Sequence, residues 1–166
     1  YPDFVCIAKE AGKRVLLDLR GGDLRRCLDH GPDIIKPNFA EFAATFVTGG
    51  KMGGETDAGP DLIKRVEEEA AAVSRRGTAV ILTRGPLPAL CALGGEGFYS
   101  PAEKVTPVNT VGCGDAFAAG FAAAWEEAGL PAAGTGEFSR IFDAAVGAGH
   151  RAAAANAAIL RPGRIR

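Results

Sequence analysis

Short, continuous apolar runs alternate along this chain with longer stretches whose apolar positions recur at helical spacing. Val15-Leu16-Leu17-Asp18-Leu19, Asp33-Ile34-Ile35-Lys36 and Ala79-Val80-Ile81-Leu82-Thr83 are too short for helices. Their unbroken apolar character predicts strands buried on both faces, as in a parallel sheet. Residues 4–13 predict a helix end stopped by Gly12, and Asp23 to His30 a short amphipathic helix. From Asn38 to Val47 a helix is expected, with Phe39, Phe42 and Phe46 near helical spacing. Asp61 to Arg76 has the clearest amphipathic pattern: Leu62, Ile63, Val66 and Val73 face inward, and Glu67 to Glu69, Arg75 and Arg76 face water.

Between these lies a glycine-rich loop, Thr48 to Asp57. Ala89–Leu93 and Gly97–Tyr99 bracket Gly94-Gly95-Glu96 and predict a β-hairpin. Val105–Val108 reads as a further strand. Asp115–Ala128 and Glu137–Leu160 are Ala-rich helices whose small residues predict close approach to each other or to a ligand. Strand–helix alternation of this kind predicts one α/β domain on a parallel sheet.

Composition narrows the classes. The chain is 47% hydrophobic and 23% charged with a formal net charge of -1, a globular balance without the basic field that nucleic acid or a membrane surface would need. No apolar run reaches the roughly 18 residues of a bilayer span. The four cysteines, Cys6, Cys27, Cys91 and Cys113, form no Cys-x-x-Cys pair, and His30 and His150 lie at no metal-ligand spacing from them. That argues against zinc, and scattered thiols fit a reducing, cytoplasmic setting.

The chemistry concentrates in Asn109-Thr110-Val111-Gly112-Cys113-Gly114-Asp115, which leads into a helix. A Gly-rich turn at a helix N-terminus aims free N–H groups and the positive dipole end at an anion. A carboxylate beside an anion site makes chemical sense if it takes a proton from a nucleophile attacking that anion. Asp115 could instead be a plain N-cap. Other polar residues gather at the ends of the apolar runs: Asp18, then Lys36, Asn38 and Glu41, then Thr83 and Arg84. Strand ends are where open α/β sheets bind ligands. Each has a structural alternative. Asn38 and Glu41 have capping-box spacing, Lys36 could be a solvated strand end, Asp18 could cap the next helix, and Asn156 could be an ordinary polar residue in an Ala-rich helix.

The 109–117 stretch resembles the second signature of the ribokinase/PfkB carbohydrate kinases, Asp-Thr-x-Gly-Ala-Gly-Asp. Ile35-Lys36-Pro37-Asn38-Phe39-Ala40-Glu41 is similar to that family's Asn-x-x-Glu motif, with the Lys-Pro of the 1-phosphofructokinase and tagatose-6-phosphate kinase branch. Ala155-Asn156-Ala157 and Arg161-Pro162-Gly163 resemble the C-terminal end of that branch. The resemblance implies a ribokinase-like three-layer α/β/α fold with a mainly parallel central sheet, truncated at the N-terminus. Residues 1–166 would be the C-terminal nucleotide-binding portion, with the sugar-binding half and lid absent.

It also implies ATP and Mg²⁺ as cofactors and a sugar or sugar phosphate, such as a fructose or tagatose phosphate, as acceptor. Asp115 would be the base, and the N–H groups of Gly112, Cys113 and Gly114 the anion hole. Lys36 would reach the ATP phosphates, and Asn38 and Glu41 would hold Mg²⁺ through water. Thr83, Arg84 and Gly85 would contact ATP, and Asn156 would border the adenine pocket. The chain departs from the pattern at Asn109, in place of Asp, and at Thr83-Arg84-Gly85-Pro86-Leu87-Pro88, which lacks a second glycine and carries two prolines. An absent half would leave apolar sheet edge and face uncovered, which predicts a homo-oligomer or association through that surface. The rival readings are a nucleotide- or phosphate-binding unit without catalysis, and a ribose or nucleoside kinase of the same family.

Overall fold

The computed structural model describes residues 1–50 and 58–163. Residues 51–57 of the expected glycine-rich loop lie outside the described residues. The chain runs α1 (Pro2–Glu10), β1 (Leu16–Leu17), α2 (Gly21–Leu28), β2 (Ile34–Ile35), α3 (Phe39–Phe46), α4 (Pro60–Arg75), β3 (Ala79–Arg84), β4 (Leu87–Leu93), β5 (Glu96–Ser100), α5 (Cys113–Glu127) and α6 (Gly136–Ala157). The five strands form one sheet in the order β1-β2-β3-β4-β5. β1, β2 and β3 are parallel, β4 reverses, and β5 turns back to their direction, so a single strand opposes the rest.

Alternation along the strands builds two cores. Ile35, Val80, Leu82 and Leu90 point to one face and pack with Leu24, Phe39, Phe42 and Val66 of α2, α3 and α4. Ile34, Ala79, Ile81 and Cys91 point to the other and pack with Phe117, Phe121, Trp125, Phe138 and Phe142 of α5 and α6. Both faces are therefore dry, which is why these strands read as unbroken apolar runs. The architecture is the expected three-layer α/β/α. Helix faces cover the sheet face that was expected to be open. Of the large exposed apolar side chains, Phe4 and Ile7 belong to α1 and Tyr1 is its N-cap.

α5 and α6 approach closely because glycine occupies the contact. A Cβ on Gly120 would meet Ala152 Cβ at 2.6 Å and the Ala148 carbonyl oxygen at 2.8 Å. The expectation from small residues is met, and the close partner is the neighbouring helix.

One local expectation changes. Val105–Val108 is not a strand. Pro107 lies within it, and proline cannot donate to a sheet ladder; the Val108 N–H is instead given to the Ala157 carbonyl at 2.7 Å. The proline-containing stretch 83–88 is a tight β3–β4 hairpin with Gly85 at φ +57°. Its register shifts between Leu82 and Arg84, a bulge that accommodates Pro88. The second hairpin turns at Gly94-Gly95, both at positive φ, the geometry that a two-residue turn between twisted strands requires.

Candidate active site

The Gly-rich turn is held by hydrogen bonds from distant parts of the chain. The Val108 and Asn109 N–H groups donate to the Ala157 carbonyl at 2.7 and 3.1 Å. Asn109 donates from Nδ2 to the Leu160 carbonyl at 3.0 Å and accepts the Val111 N–H on Oδ1 at 3.0 Å. Asn156, fully buried, donates from Nδ2 to the Val111 carbonyl and accepts the Gly163 N–H on Oδ1, both at 2.8 Å. So Asn156 clasps the turn to the end of α6, and both its polar atoms are spent within the protein.

Gly112 is the N-cap of α5 at φ +76°, a backbone that favours glycine. Asp115 is the third helical residue, exposed, and makes no cap bond, which removes the N-cap alternative. The Cys113 N–H is directed to the Thr110 carbonyl at 3.3 Å. Among the described residues, the N–H groups of Gly112, Gly114 and Asp115 donate to no protein acceptor. The open donors therefore include Asp115 itself and not Cys113, a one-residue displacement of the expected anion hole. The cause is the tight turn closed by Thr110.

Lys36 faces this turn. Its side chain is 2% exposed, with Nζ 2.9 Å from Asp18 Oδ2. The same ammonium lies 3.7 Å from the position a Gly114 Cβ would take, and 6.0 Å from the Phe117 ring centroid. Lys36 is thus not a solvated strand end, and Asp18 does not cap α2, whose N-cap is Arg20. A buried cation and free N–H groups converge on one spot, an arrangement that attracts a phosphate-sized anion.

Asn38 and Glu41 form a complete capping box at the start of α3. Asn38 Oδ1 accepts the Glu41 N–H at 2.8 Å, and Glu41 Oε2 accepts the Asn38 N–H at 3.1 Å. Glu41 Oε1 also faces Arg20 at 3.4 Å. Asn38 bridges to Thr83 of β3, prolonging the β2–β3 pairing past the end of β2. Next in line, the Arg84 guanidinium lies over the rings of Phe39 and Tyr99, at 5.2 and 5.7 Å. Among the described residues no three His, Cys, Asp or Glu side chains converge as a metal cage.

Beside the turn opens a mainly apolar cleft of about 600 Å³. Gly85, Thr110 and Cys113 line one part, and Ala153, Ala154 and Ala157 of α6 another. His150 lies in the same wall, one helical turn before Ala153 and Ala154. Its buried ring has a pKa below the usual histidine value. Desolvation is the main cause; the Glu103 charge and a hydrogen bond with the Ser100 backbone act the other way. In the sequence His150 stands out only as an unlikely zinc ligand. Its spacing at i, i+3, i+4 and i+7 with the cleft alanines was the signal available.

The structure is thus a three-layer α/β/α protein in which a helix N-terminus with open N–H groups lies beside an apolar cleft. Residues 5–161 match the pfkB family carbohydrate kinases, and the chain belongs to that family. A relative, the 1-phosphofructokinase of Rhodobacter capsulatus, is 32% identical over 120 residues, which is 72% of this chain and 35% of that protein. Phosphofructokinase-2 from Escherichia coli, solved in complex with potassium, superposes with a TM-score of 0.72 at 20% identity, covering 96% of this chain and 46% of that one. Ribokinase from Thermotoga maritima superposes at 0.64 with 23% identity, covering 93% and 46%. At these identities the structural likeness speaks for the fold. The chain spans about a third of the length of the first relative and about half of each solved structure. No helix among the described residues is long and apolar enough to cross a membrane.

Proposed function

We propose that this chain carries the phosphoryl-transfer apparatus of an ATP-dependent sugar or sugar-phosphate kinase. The observation that carries the reading is Lys36 Nζ buried against Gly114, where α5 offers unpaired N–H groups and an exposed carboxylate at Asp115. Asp115 takes the proton of the acceptor hydroxyl as its oxygen bonds to the γ-phosphorus; the bond to the bridging oxygen breaks and ADP leaves. The N–H groups of Gly112, Gly114 and Asp115, with Lys36, stabilise the charge that collects on the transferring group. The apolar cleft holds the nucleotide base, with Gly85, Thr83 and Arg84 at its margin. Asn156 supports this site by positioning the turn.

Glu41 has both oxygens engaged by Asn38 and Arg20, so the residues suit Mg²⁺ held through water and not by a protein cage. The ion supplies neutralisation of phosphate charge when bound. The acceptor class we favour is a hexose phosphate such as fructose 1- or 6-phosphate or tagatose 6-phosphate, in line with the 1-phosphofructokinase relative. A ribose or nucleoside acceptor is the nearer rival.

A second reading, nucleotide or phosphate binding without turnover, is favoured by the exposed Asp115 carboxylate having, among the described residues, no hydrogen-bonded partner that would orient it. One assay separates the two: ADP formation from MgATP with the hexose phosphates, comparing Asp115 with Asp115→Asn. Removing a general base is expected to cost roughly 10²–10⁴-fold in kcat. A loss under tenfold rejects the base role, and ATP binding with no turnover on any acceptor favours the second reading.

A further inference from the structure

The end of the β3–β4 hairpin bounds the cleft, yet its backbone is weakly tied. Gly85, Pro86 and Pro88 line the cleft, whereas Arg84, just before them, does not. The ladder at this end is irregular: the register shifts between Leu82 and Arg84, and Pro88 has no N–H to give. Gly85, at φ +57°, has no side chain that could pack. Something other than the ladder has to fix the turn.

Arg84 does so from the far side of the sheet. Leu82 packs in the core beneath α3 and α4, and the Arg84 side chain leaves the strand on that same side. Its guanidinium carbon lies 5.2 Å from the Phe39 ring centroid and 5.7 Å from that of Tyr99. Both lie within the roughly 6 Å over which a cation is drawn to a ring face. Each ring is itself held. Phe39 is 1% exposed and opens α3 directly after the Asn38 cap. Tyr99 donates its hydroxyl to Glu67 Oε1 of α4 at 2.6 Å. A planar guanidinium laid on two held rings is held in turn. The cleft lies on the other side, against Cys113 of α5 and Ala153, Ala154 and Ala157 of α6.

We infer that Arg84 is a positioning residue: stacked on Phe39 and Tyr99, it braces the Gly85-Pro86 turn that bounds the nucleotide cleft, and it does not touch the nucleotide. The inference rests on the nucleotide reading above. It adds the residues, Phe39, Tyr99 and Glu67, through which α3 and α4 hold one wall of the cleft. A cation at a strand end beside an anion site suggests a different role, direct contact with phosphate. The two roles differ in what they ask of the ligand. A braced wall serves every ligand that carries the base, and a phosphate contact serves only those that carry phosphate.

The test is calorimetric titration of the chain with adenosine and with ADP. Arg84→Met is expected to weaken both by the same factor, about 3- to 30-fold, the range of a ring-stacked cation. Arg84→Lys keeps the charge and loses the planar stack, so it is expected to weaken both nearly as much. Tyr99→Leu removes a ring that lies outside the cleft wall and is expected to reproduce part of that loss. The double variant Arg84→Met, Tyr99→Leu should bind within about twofold of Arg84→Met alone, since both changes break one brace. In the unaltered chain, the Arg84 Nε–H resonance is expected to take the same position with adenosine as with ADP, a readout that needs no variant to fold. A loss confined to ADP, affinity restored by Arg84→Lys, additive losses in the double variant, or a resonance that moves with ADP alone overturns the positioning role and leaves the nucleotide site standing. Unchanged affinity in Arg84→Met, or binding of ADP with none of adenosine, does the same. Failure of the unaltered chain to bind ADP overturns the nucleotide site, and the role with it.

Discussion

Lys36 and Asp18 form an ion pair in which the cation is the buried member: 2.9 Å separates Nζ from Oδ2, with 2% of the lysine side chain exposed against 38% of the aspartate's. The asymmetry has a consequence. Removing the aspartate strands a buried ammonium, whereas removing the lysine leaves a carboxylate that water can reach. Lys36→Met is therefore expected to change stability by no more than about 1 kcal/mol in urea unfolding. Phosphate-bearing ligands should lose at least about tenfold in affinity, as for a lost charge-assisted contact. A large stability loss with unchanged ADP affinity would make Lys36 a core ion pair and no more.

Glu41→Gln separates two roles held by one side chain. Glutamine keeps an oxygen for the Asn38 N–H, so the capping box survives and helix α3 should lose under about 0.5 kcal/mol. The negative charge goes, so the Mg²⁺ concentration needed for half-maximal ATP turnover should rise several-fold. An unchanged Mg²⁺ requirement would leave Glu41 as a helix cap alone.

Gly120→Ala tests the contact between α5 and α6. The added methyl meets Ala152 and the Ala148 backbone, neither of which can rotate away. We expect a cost of about 1–3 kcal/mol by overpacking, seen as a lower midpoint of thermal unfolding. Gly147→Ala is the control: its nearest neighbour would be the guanidinium end of Arg151 at 3.4 Å, which can move aside. Equal effects at the two positions would show that the helices can part at little cost.

His150 gives stability a pH dependence of known sign. Its folded pKa lies below the unfolded value of about 6.5, so the unfolded chain binds more protons in the window beneath that value. Above it both states are neutral and the group contributes nothing. Stability should fall as pH drops from 6.5 toward the lower folded pKa, with Glu103 and the Ser100 carbonyl limiting the loss and Phe117 packed against the ring adding no charge. Urea midpoints at pH 7.5, 6.5 and 5.5 check this, and His150→Phe should flatten that limb.

Much of the fold was legible residue by residue. Ile34 and Ile35 read as one apolar run because they serve two cores at once, and Asn38 with Glu41 read as a capping box because that bond pattern is local. Where distant contacts override local preference, the reading failed. Val105–Val108 has strand-like composition, but its backbone is claimed by Ala157 and broken by prolines. Pro88 lies inside β4, where the register shift between Leu82 and Arg84 of the neighbouring strand makes its missing N–H harmless, a pairing detail no local pattern shows.

The candidate site divides in the same way. Residue types and spacing along the chain were enough to mark Gly112 to Asp115 as a helix-opening turn with a carboxylate, since glycine freedom and helix polarity act within a few residues. Which N–H groups stay open depended on where Thr110 folds back. That Lys36 meets Gly114, that Asn156 clasps the turn instead of facing ligand, and that Arg84 rests on Phe39 and Tyr99 all depend on packing between elements far apart in sequence. Local chemistry can nominate such residues, but burial and partners are properties of the assembled layers, and only these decide what each side chain has left to offer a ligand.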